Sequence, residues 1–301
     1  MKITLYFVTL AKIGTVMISK EQFEKEIDII IQNALREDIG SGDHSSLACI
    51  PGEVIGKAKL LVKDSGILAG VAFAQRVFKE VDEDIEMEVF LEDGSKIDKN
   101  QVAFFIKGPS RSILQAERLV LNGMQRMSAI ATKTRSFVDQ LEGTNTKILD
   151  TRKTTPGIRA LEKWAVKIGG GENHRFGLFD MIMLKDNHID FAGGIRQAIN
   201  KTKEYLRRQN LDLKIIVEAR NMAEIREILS EGGIHRILLD NFSLEETQKA
   251  VKLIDGQYQT ESSGGINLKT VRAYAECGID YISSGALTHS VYNLDLSLKA
   301  M

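Results

Sequence analysis

The sequence predicts an α/β fold, with an N-terminal α/β sandwich domain followed by an incomplete, TIM-like (β/α) barrel. Short segments rich in β-formers dominate residues 53–108. After residue 146, strand-like and helical segments alternate at a spacing of ~25–30 residues, which is typical of βαβ units and a parallel sheet. No Gly-x-Gly-x-x-Gly follows the first of these strands. A barrel is therefore favoured over a dinucleotide-binding sheet.

The composition indicates a globular protein without an overall electrostatic preference for nucleic acid. The 301 residues include 40 basic and 41 acidic side chains, for a net charge of −1, and 43% are hydrophobic. No apolar segment approaches the ~20 residues that a membrane helix needs. The two cysteines, Cys49 and Cys277, fit a reducing compartment. We therefore expect a cytoplasmic protein that binds neither nucleic acid nor membranes.

Residues 18–119 are expected to form the sandwich domain. Residues 1–17 precede it as a predicted N-terminal extension, and Met17 is a second candidate for the start of the natural chain. The domain begins with an amphipathic helix over 21–35, for which Ser19 is the expected N-cap. The remaining predicted elements are strands at 54–62, 85–91 and 101–106 and a helix at 71–81.

Residues 120–288 are expected to form the barrel, and 289–301 are a C-terminal segment that is a candidate for return to the N-terminal domain. A long helix over 115–141 leads into the barrel. Predicted strands lie at 147–150, 179–184, 213–218, 234–240, 257–260 and 278–283. Predicted helices lie at 157–168, 194–208, 222–231, 244–253 and 268–277, and several end at glycine.

Polar residues end almost every predicted barrel strand. In a (β/α) barrel the carboxyl ends of the strands face one mouth, where such folds place their active sites. A helix cap or a loop ion pair would explain any one of these residues, but six positions in register favour a site. The six positions are Asp150–Lys153, Lys185-Asp186, Glu218, Asp240, Glu261–Ser263 and Ser283-Ser284.

Cations are concentrated at the first two strand ends. The segment Asp150–Gly157 contains Arg152 and Lys153, and Arg175 and Lys185 follow in the next βα unit. Arginine binds a carboxylate through two parallel hydrogen bonds, so this set of side chains suits a planar dicarboxylate. A solvated turn that opens a helix is the alternative interpretation of the first segment on its own.

The later strand ends favour a phosphorylated second ligand. Glu218 and Asp240 are carboxylates suited to Mg²⁺ that is held partly through water and ligand phosphates. Glycine and serine in 262–265 and 284–287 allow main-chain N–H groups to approach phosphate oxygens. His174 lies beside one of the arginines and is expected to contact a ligand. Together these groups predict two anionic substrates, one of them a metal-bound polyphosphate.

A series of short motifs runs from the end of the first helix to the C-terminal segment. They are Glu37–Asp43, Ala116–Arg118 with Leu121-Asn122, Asp150–Gly157, Asn173–Arg175, Lys185–His188, Val217-Glu218, Leu239-Asp240, Glu261–Gly265 and Gly285–His289. In their order and number these motifs resemble the quinolinate phosphoribosyltransferase family, also called nicotinate-nucleotide pyrophosphorylase (carboxylating). The resemblance extends from Leu35 to the C-terminus.

The resemblance implies an N-terminal α/β sandwich, an incomplete α/β barrel and a homodimer. It also implies that quinolinate and phosphoribosyl pyrophosphate react, with Mg²⁺, to give nicotinate mononucleotide, CO₂ and pyrophosphate in NAD biosynthesis. By position, the implied quinolinate-binding residues are Arg152, His174, Arg175 and Lys185, with Arg118 reaching the site of the other subunit. The implied residues for phosphoribosyl pyrophosphate and the metal are Lys153, Glu218 and Asp240, and those for its phosphate are Ser263, Gly264, Gly285 and His289.

Three other functions stay open on the sequence. A related phosphoribosyltransferase-like protein would act on another base or in molybdenum utilisation, although the four retained cations argue against it. A barrel aldolase would use Lys153 or Lys185 as a Schiff-base lysine. A non-catalytic phosphosugar-binding or nucleic-acid module is the third. His44 and Asp186 depart from the family's usual residues, and neither belongs to the cationic cluster.

Overall fold

The computed structural model describes residues 18–301, so the predicted extension over 1–17 lies outside the described residues. The contacts between residues divide the chain into two units. The first runs to Arg135 and also contains Thr154–Gly170 and Leu287–Met301, and the second contains Ser136–Lys153 and Gly171–Ala286. The domain boundaries expected at residues 119 and 288 stay predictions.

Helices and short strands occupy the chain up to residue 140. In chain order they are α1 (Lys20–Ile39), α2 (His44–Cys49), β1 (Ile55–Val62), β2 (Gly66–Ile67), α3 (Val71–Val81), β3 (Glu86–Val89), β4 (Lys96–Ile97), β5 (Val102–Pro109) and α4 (Ser110–Gln140). Ser19 caps α1 as predicted, because its hydroxyl accepts a hydrogen bond from the Gln22 main-chain N–H at 3.1 Å. The sequence analysis does not predict α2, which Asp43 caps by accepting from the Ser46 N–H at 3.1 Å.

After residue 146, strands and helices alternate. In chain order they are β6 (Lys147–Leu149), α5 (Arg159–Ile168), β7 (Ile182–Leu184), α6 (Asp186–Ala192), α7 (Ile195–Gln209), β8 (Ile215–Ala219), α8 (Met222–Glu231), β9 (Arg236–Asp240), α9 (Leu244–Ile254), β10 (Gln259–Ser263), α10 (Val271–Glu276), β11 (Tyr281–Ser283), α11 (Ala286–His289) and β12 (Leu296–Ala300). This alternation confirms the predicted α/β class. Among residues 18–301, no helix is long and apolar enough to span a membrane.

A four-stranded antiparallel sheet with the order β12-β1-β5-β3 belongs to the first unit, which also contains the two-stranded pair β2-β4. Alternate residues of β1 are buried, namely Ala58, Leu60 and Val62. This period of two means that one face of the sheet packs against the core. Phe78 of α3 packs edge-to-face on Phe104 of β5, with the ring centroids 6.3 Å apart.

Helix α4 approaches α3 closely because one of its interior residues is a glycine. A Cβ atom at Gly123 would overlap the ring of Phe73. Any larger residue at this position would push the two helices apart and leave a void around the buried ring. A glycine in the middle of a helix is unfavourable in isolation, so the packing here outweighs helix propensity.

The second unit contains a sheet of six parallel strands with the order β6-β11-β10-β9-β8-β7. All five residues of β8 are buried, as is usual for a parallel strand that is covered on both faces. Strands β6 and β7 stand at the two ends of the strand order. The arrangement is therefore the incomplete barrel that the sequence predicts.

The five barrel strands β7 to β11 begin two or three residues later than their predicted counterparts. The predicted strand at 179–184 begins only at Ile182, because Asp180 accepts hydrogen bonds from the main-chain N–H groups of Phe176 and Gly177 at 2.7 and 2.8 Å. An aspartate that bonds nearby N–H groups in this way holds a loop rather than a strand. Strand β10 extends to Ser263, since it stays paired with β9 as far as Asp240.

A buried carboxylate connects three segments of the first unit. Glu162 on α5 is fully buried and accepts hydrogen bonds from Arg126 Nε and Nη2 at 3.0 and 2.8 Å. It also accepts from the main-chain N–H and the hydroxyl of Thr155 at 3.1 and 2.8 Å. Arg126 donates in turn to the carbonyl of Thr288 at 2.6 Å. The ion pair thus holds α4, the loop before α5 and the end of α11 together.

We predict that Glu162→Ala destabilises the protein by about 3–5 kcal/mol, because removing one partner leaves a half-buried guanidinium without its carboxylate. Urea unfolding measures this change. The matched control is Glu245→Ala, which removes an exposed carboxylate paired with Lys249 and should change stability by less than about 0.5 kcal/mol. Equal effects of the two substitutions would contradict the prediction.

Candidate active site

The carboxyl ends of the six parallel strands lie along one edge of the second sheet. Ten of the predicted site residues belong to the second unit. Eight of them lie at a strand end or in the loop after it, and His174 and Arg175 lie in the loop between α5 and β7. The ten are Arg152, Lys153, His174, Arg175, Lys185, Glu218, Asp240, Ser263, Gly264 and Gly285. The parallel register therefore brings together groups that are far apart in sequence.

The other two predicted residues belong to the first unit. Arg118 is an exposed residue on α4, and His289 is the exposed last residue of α11. Ser290 Oγ and His289 Nδ1 are 2.7 Å apart and form a hydrogen bond. The participation of both residues in the site stays a prediction.

Asp150 is buried beneath the site and supports a neighbouring loop. Its carboxylate is fully buried and accepts hydrogen bonds from the His174 main-chain N–H at 2.8 Å and from Asn173 Nδ2 at 2.6 Å. A parallel β-bridge between Leu149 and Glu172 also joins the main chain of β6 to the segment before His174. The end of β6 thereby fixes the segment that carries His174.

Two guanidinium groups lie close enough to repel each other. Arg175 is buried, and its Nη1 donates to the carbonyl of Met181 at 3.2 Å. Burial lowers the pKa of Arg175, and the charge of the exposed Arg152 lowers it further. Arginine nevertheless stays protonated in proteins. The positive charge is thus concentrated before a ligand binds, which favours an anion at this place.

Two carboxylates at the ends of β8 and β9 form a second charged group of the site. Burial raises the pKa of Glu218, the charge of Asp240 raises it further, and the charge of Lys185 opposes the change. Asp240 accepts hydrogen bonds from Ser263 Oγ and Asn241 Nδ2, both at 2.8 Å. Hydrogen bonds therefore hold the Asp240 carboxylate in place although it repels that of Glu218.

The carboxylate pair fits a hard divalent cation. Glu218 and Asp240 offer anionic oxygens whose mutual repulsion a cation would relieve, and Mg²⁺ prefers oxygen ligands. No cluster of three or more His, Cys, Asp or Glu residues with metal-binding geometry occurs in the part of the chain that the structure describes. An ion at this pair would take its other ligands from water and from substrate phosphates, as is usual for Mg²⁺.

The turn after β10 requires glycine. Gly264 has a φ of +96°, and a Cβ atom there would overlap the side-chain oxygen of Asn241. Gly265 also has a positive φ, but a Cβ atom there would meet no neighbour. The main chain at Gly264 can therefore lie against the residue that holds Asp240, which no larger residue would allow.

Glu261 forms an ion pair that the sequence does not predict. From the sequence alone, Glu261 is only one of the polar residues at the end of a strand. The residue is fully buried on β10, and Arg236 Nη1 on β9 donates to its Oε2 at 2.8 Å. The Arg236 guanidinium also stacks on the ring of Tyr281, 3.8 Å from the centroid. Burial alone would raise the pKa of Glu261, but His174, Arg236 and Ser283 outweigh it and lower the pKa to about 2.

Comparison with known families agrees with this arrangement. The N-terminal domain model of quinolinate phosphoribosyl transferase matches residues 43–128, and the C-terminal domain model matches residues 130–299. The chain belongs to the quinolinate phosphoribosyltransferase family. The resemblance inferred from the short motifs is thus confirmed, and so is the predicted fold.

Individual relatives cover most of the chain. It is 46% identical over 285 residues to "Quinolinate phosphoribosyltransferase [decarboxylating] 1b" of Nicotiana tabacum, an alignment that covers 90% of this chain and 81% of the relative. It is 41% identical over 269 residues to "Probable nicotinate-nucleotide pyrophosphorylase [carboxylating]" of Bacillus subtilis, covering 89% and 91%. The crystal structure of NadC from Streptococcus pyogenes matches with a TM-score of 0.86 and 37% identity, covering 95% of this chain and all of that one.

We predict that Glu261 makes stability depend on pH in the acid range. Its pKa is about 2 in the folded protein and 4.5 ordinarily, so its contribution is complete above pH 4.5 and is lost as pH falls towards 2. Between pH 4.5 and about pH 3, the wild type should therefore lose about 2 kcal/mol more than Glu261→Gln does. Urea unfolding of both proteins across this range tests the prediction, and parallel curves would contradict it.

Proposed function

We propose that this protein transfers the phosphoribosyl group of phosphoribosyl pyrophosphate to the ring nitrogen of quinolinate. The products are nicotinate mononucleotide, CO₂ and pyrophosphate, and the enzyme class is nicotinate-nucleotide diphosphorylase (carboxylating) of de novo NAD biosynthesis. One observation carries the proposal in particular: a cationic group of side chains and a carboxylate pair follow the strand ends of a single parallel sheet. The names of the relatives support the same reaction.

The quinolinate side of the site would consist of cations. Arg152, Arg175 and Lys185 would bind the two carboxylates, and His174 would line the pocket. The mutual repulsion of Arg152 and Arg175 supports this assignment, because a dianion bound between them would relieve it. We further propose a homodimer in which Arg118 reaches the site of the other subunit. Its exposure on α4 is compatible with that role.

The phosphoribosyl pyrophosphate side would consist of Lys153, the carboxylate pair and the glycine turns. Ser263, Gly264, Gly285 and His289 would bind the 5′-phosphate, since glycine allows main-chain N–H groups to approach phosphate oxygens. Mg²⁺ bound at Glu218 and Asp240, directly or through water, would supply positive charge to the departing pyrophosphate. Lys153 would add its own charge at the same end of the substrate.

The reaction requires two anions to meet. The cationic side chains would offset the repulsion between the substrates and would hold the pyridine nitrogen opposite C1 of the ribose. As the C–O bond to pyrophosphate breaks, positive charge develops on the ribosyl carbon, and the carboxylates of Glu218 and Asp240 would stabilise it. The new N–C bond makes the ring nitrogen cationic. Loss of CO₂ from the adjacent carbon leaves an electron pair beside N⁺, and that carbon then takes up a proton.

The location that we propose is the cytoplasm. The protein has two cysteines, and both are free thiols in the structure, as expected in a reducing compartment.

The decisive experiment is an assay of nicotinate mononucleotide formation with phosphoribosyl pyrophosphate and Mg²⁺. Quinolinate and nicotinate are compared as substrates, because only quinolinate has the second carboxylate and can release CO₂. We expect product from quinolinate and none from nicotinate. Product from neither substrate, in a folded protein, would reject the proposal and favour a related phosphoribosyltransferase that acts on another base.

We predict that Arg152→Ala lowers kcat/KM for quinolinate ten- to a hundredfold or more. The loss of one charged contact commonly costs about 1.5–3 kcal/mol, and the substitution removes both the charge and the forked hydrogen-bond geometry. Steady-state kinetics measures the change. Arg207→Ala, which removes an exposed arginine from the last turn of α7, is the matched control and should behave as the wild type does. Unchanged kinetics in Arg152→Ala would exclude its assigned role.

A further inference from the structure

We propose that Glu261 is a positioning residue of this enzyme, which acts through His174 to fix the main chain of Arg175. The inference rests on the proposed function, because it assigns Arg175 to the quinolinate pocket. The proposal goes beyond that function because it gives His174 a role different from that of the quinolinate-binding cations. His174 holds the segment that carries Arg175, and it lines the pocket without donating a hydrogen bond to the substrate.

The main chain around His174 is held at two points. Its own N–H donates to Asp150 Oδ1 at 2.8 Å, and its Nδ1 accepts the N–H of Arg175 at 2.7 Å. An atom that accepts a hydrogen bond from an N–H group carries a lone pair, so Nδ1 has no proton. The proton of the ring is therefore on Nε2. This tautomer follows from the hydrogen-bond geometry alone.

The protonated nitrogen of His174 faces Glu261. Nε2 lies 3.5 Å from Glu261 Oε2, an ion-pair distance that is longer than an ordinary N–H···O hydrogen bond. Both side chains are buried. An ionised carboxylate can only accept, so it selects the tautomer with the proton on Nε2. Each ring nitrogen of His174 thus faces a group of the protein, Nδ1 the N–H of Arg175 and Nε2 the carboxylate of Glu261.

Arg236 keeps Glu261 ionised in the interior. Its guanidinium donates to the same Oε2 at 2.8 Å and is itself held on the ring of Tyr281. A buried ion pair gives little net stability compared with apolar residues of the same volume. The Arg236–Glu261 pair is therefore better explained by its orientation of the His174 ring than by a gain in stability. The chain of contacts runs from Arg236 through Glu261 and His174 to the N–H of Arg175.

Two substitutions of His174 separate this proposal from direct substrate contact. Asn places an oxygen near the position of Nδ1 and can still accept the N–H of Arg175, whereas Gln places its amide near the position of Nε2. We expect both substitutions to raise the quinolinate KM, and His174→Gln to raise it about threefold or more above the value for His174→Asn. The reverse order would overturn the proposal, since it would place the function at Nε2.

Glu261→Gln tests the upstream part of the chain. Its amide can donate to Nε2, so it no longer selects a single tautomer of His174. We expect a rise of about tenfold or more in the quinolinate KM, with the KM for phosphoribosyl pyrophosphate within about twofold. Equal rises in both would indicate a general structural defect and reject the proposal. Glu276→Gln, on an exposed carboxylate paired with Arg272, is the control.

Nitrogen NMR of protein labelled in histidine reads the tautomer directly and needs no activity. The chain has five histidines, and the spectrum of His174→Asn assigns the missing signal to His174. We expect a protonated Nε2 and an unprotonated Nδ1 in the wild type. A proton on Nδ1 would overturn the proposal, even if Glu261→Gln did not fold. If the enzyme proved inactive on quinolinate, the proposed function would fail while the tautomer could still be read.

Discussion

The common direction of six strands is the constraint on which the site depends. Parallel pairing places every carboxyl end along one edge, so each strand contributes its last residues to the same region. Leu149 and Ser283 end adjacent strands, β6 and β11, although most of the second unit separates them in sequence. The site therefore exists only when the sheet is assembled in register. In β8, for example, a shift of one residue would put Val217 or Ala219 in the place of Glu218.

Charge is distributed along this edge in two opposed groups, and each has its own support. Arg175 and Arg152 repel each other in one group, while Glu218 and Asp240 repel each other in the second. Groups of like charge stay together because rigid neighbours hold them: Asp150 holds the segment before Arg175, and Ser263 holds Asp240. Such a site is prepared for ligands of both signs before they bind, which limits reorganisation during the reaction.

The sequence predicts the helices and strands better than it predicts the contacts that hold the site residues in place. Helices α3 and α8 have the predicted bounds, because apolar periodicity is a local signal and so is Gly232, which ends α8. The strand ends also appear where the polar residues predict them. Glu261 and Glu218 look alike in the sequence, as single carboxylates at strand ends. What distinguishes them is the half-buried Arg236 on the neighbouring strand and His174 from a distant loop, and neither contact is visible in a local pattern.

The position of β12 has a consequence for how the chain acquires its structure during synthesis. Leu298 pairs with Leu60, so the first sheet gains its fourth strand only after the ribosome has passed the whole barrel. Until then, one edge of β1 exposes unpaired N–H and C=O groups, to which other extended chains can add. The barrel segments, whose contacts lie closer together in sequence, can assemble earlier. The last strand thus closes an edge that is open to wrong partners while the nascent chain grows.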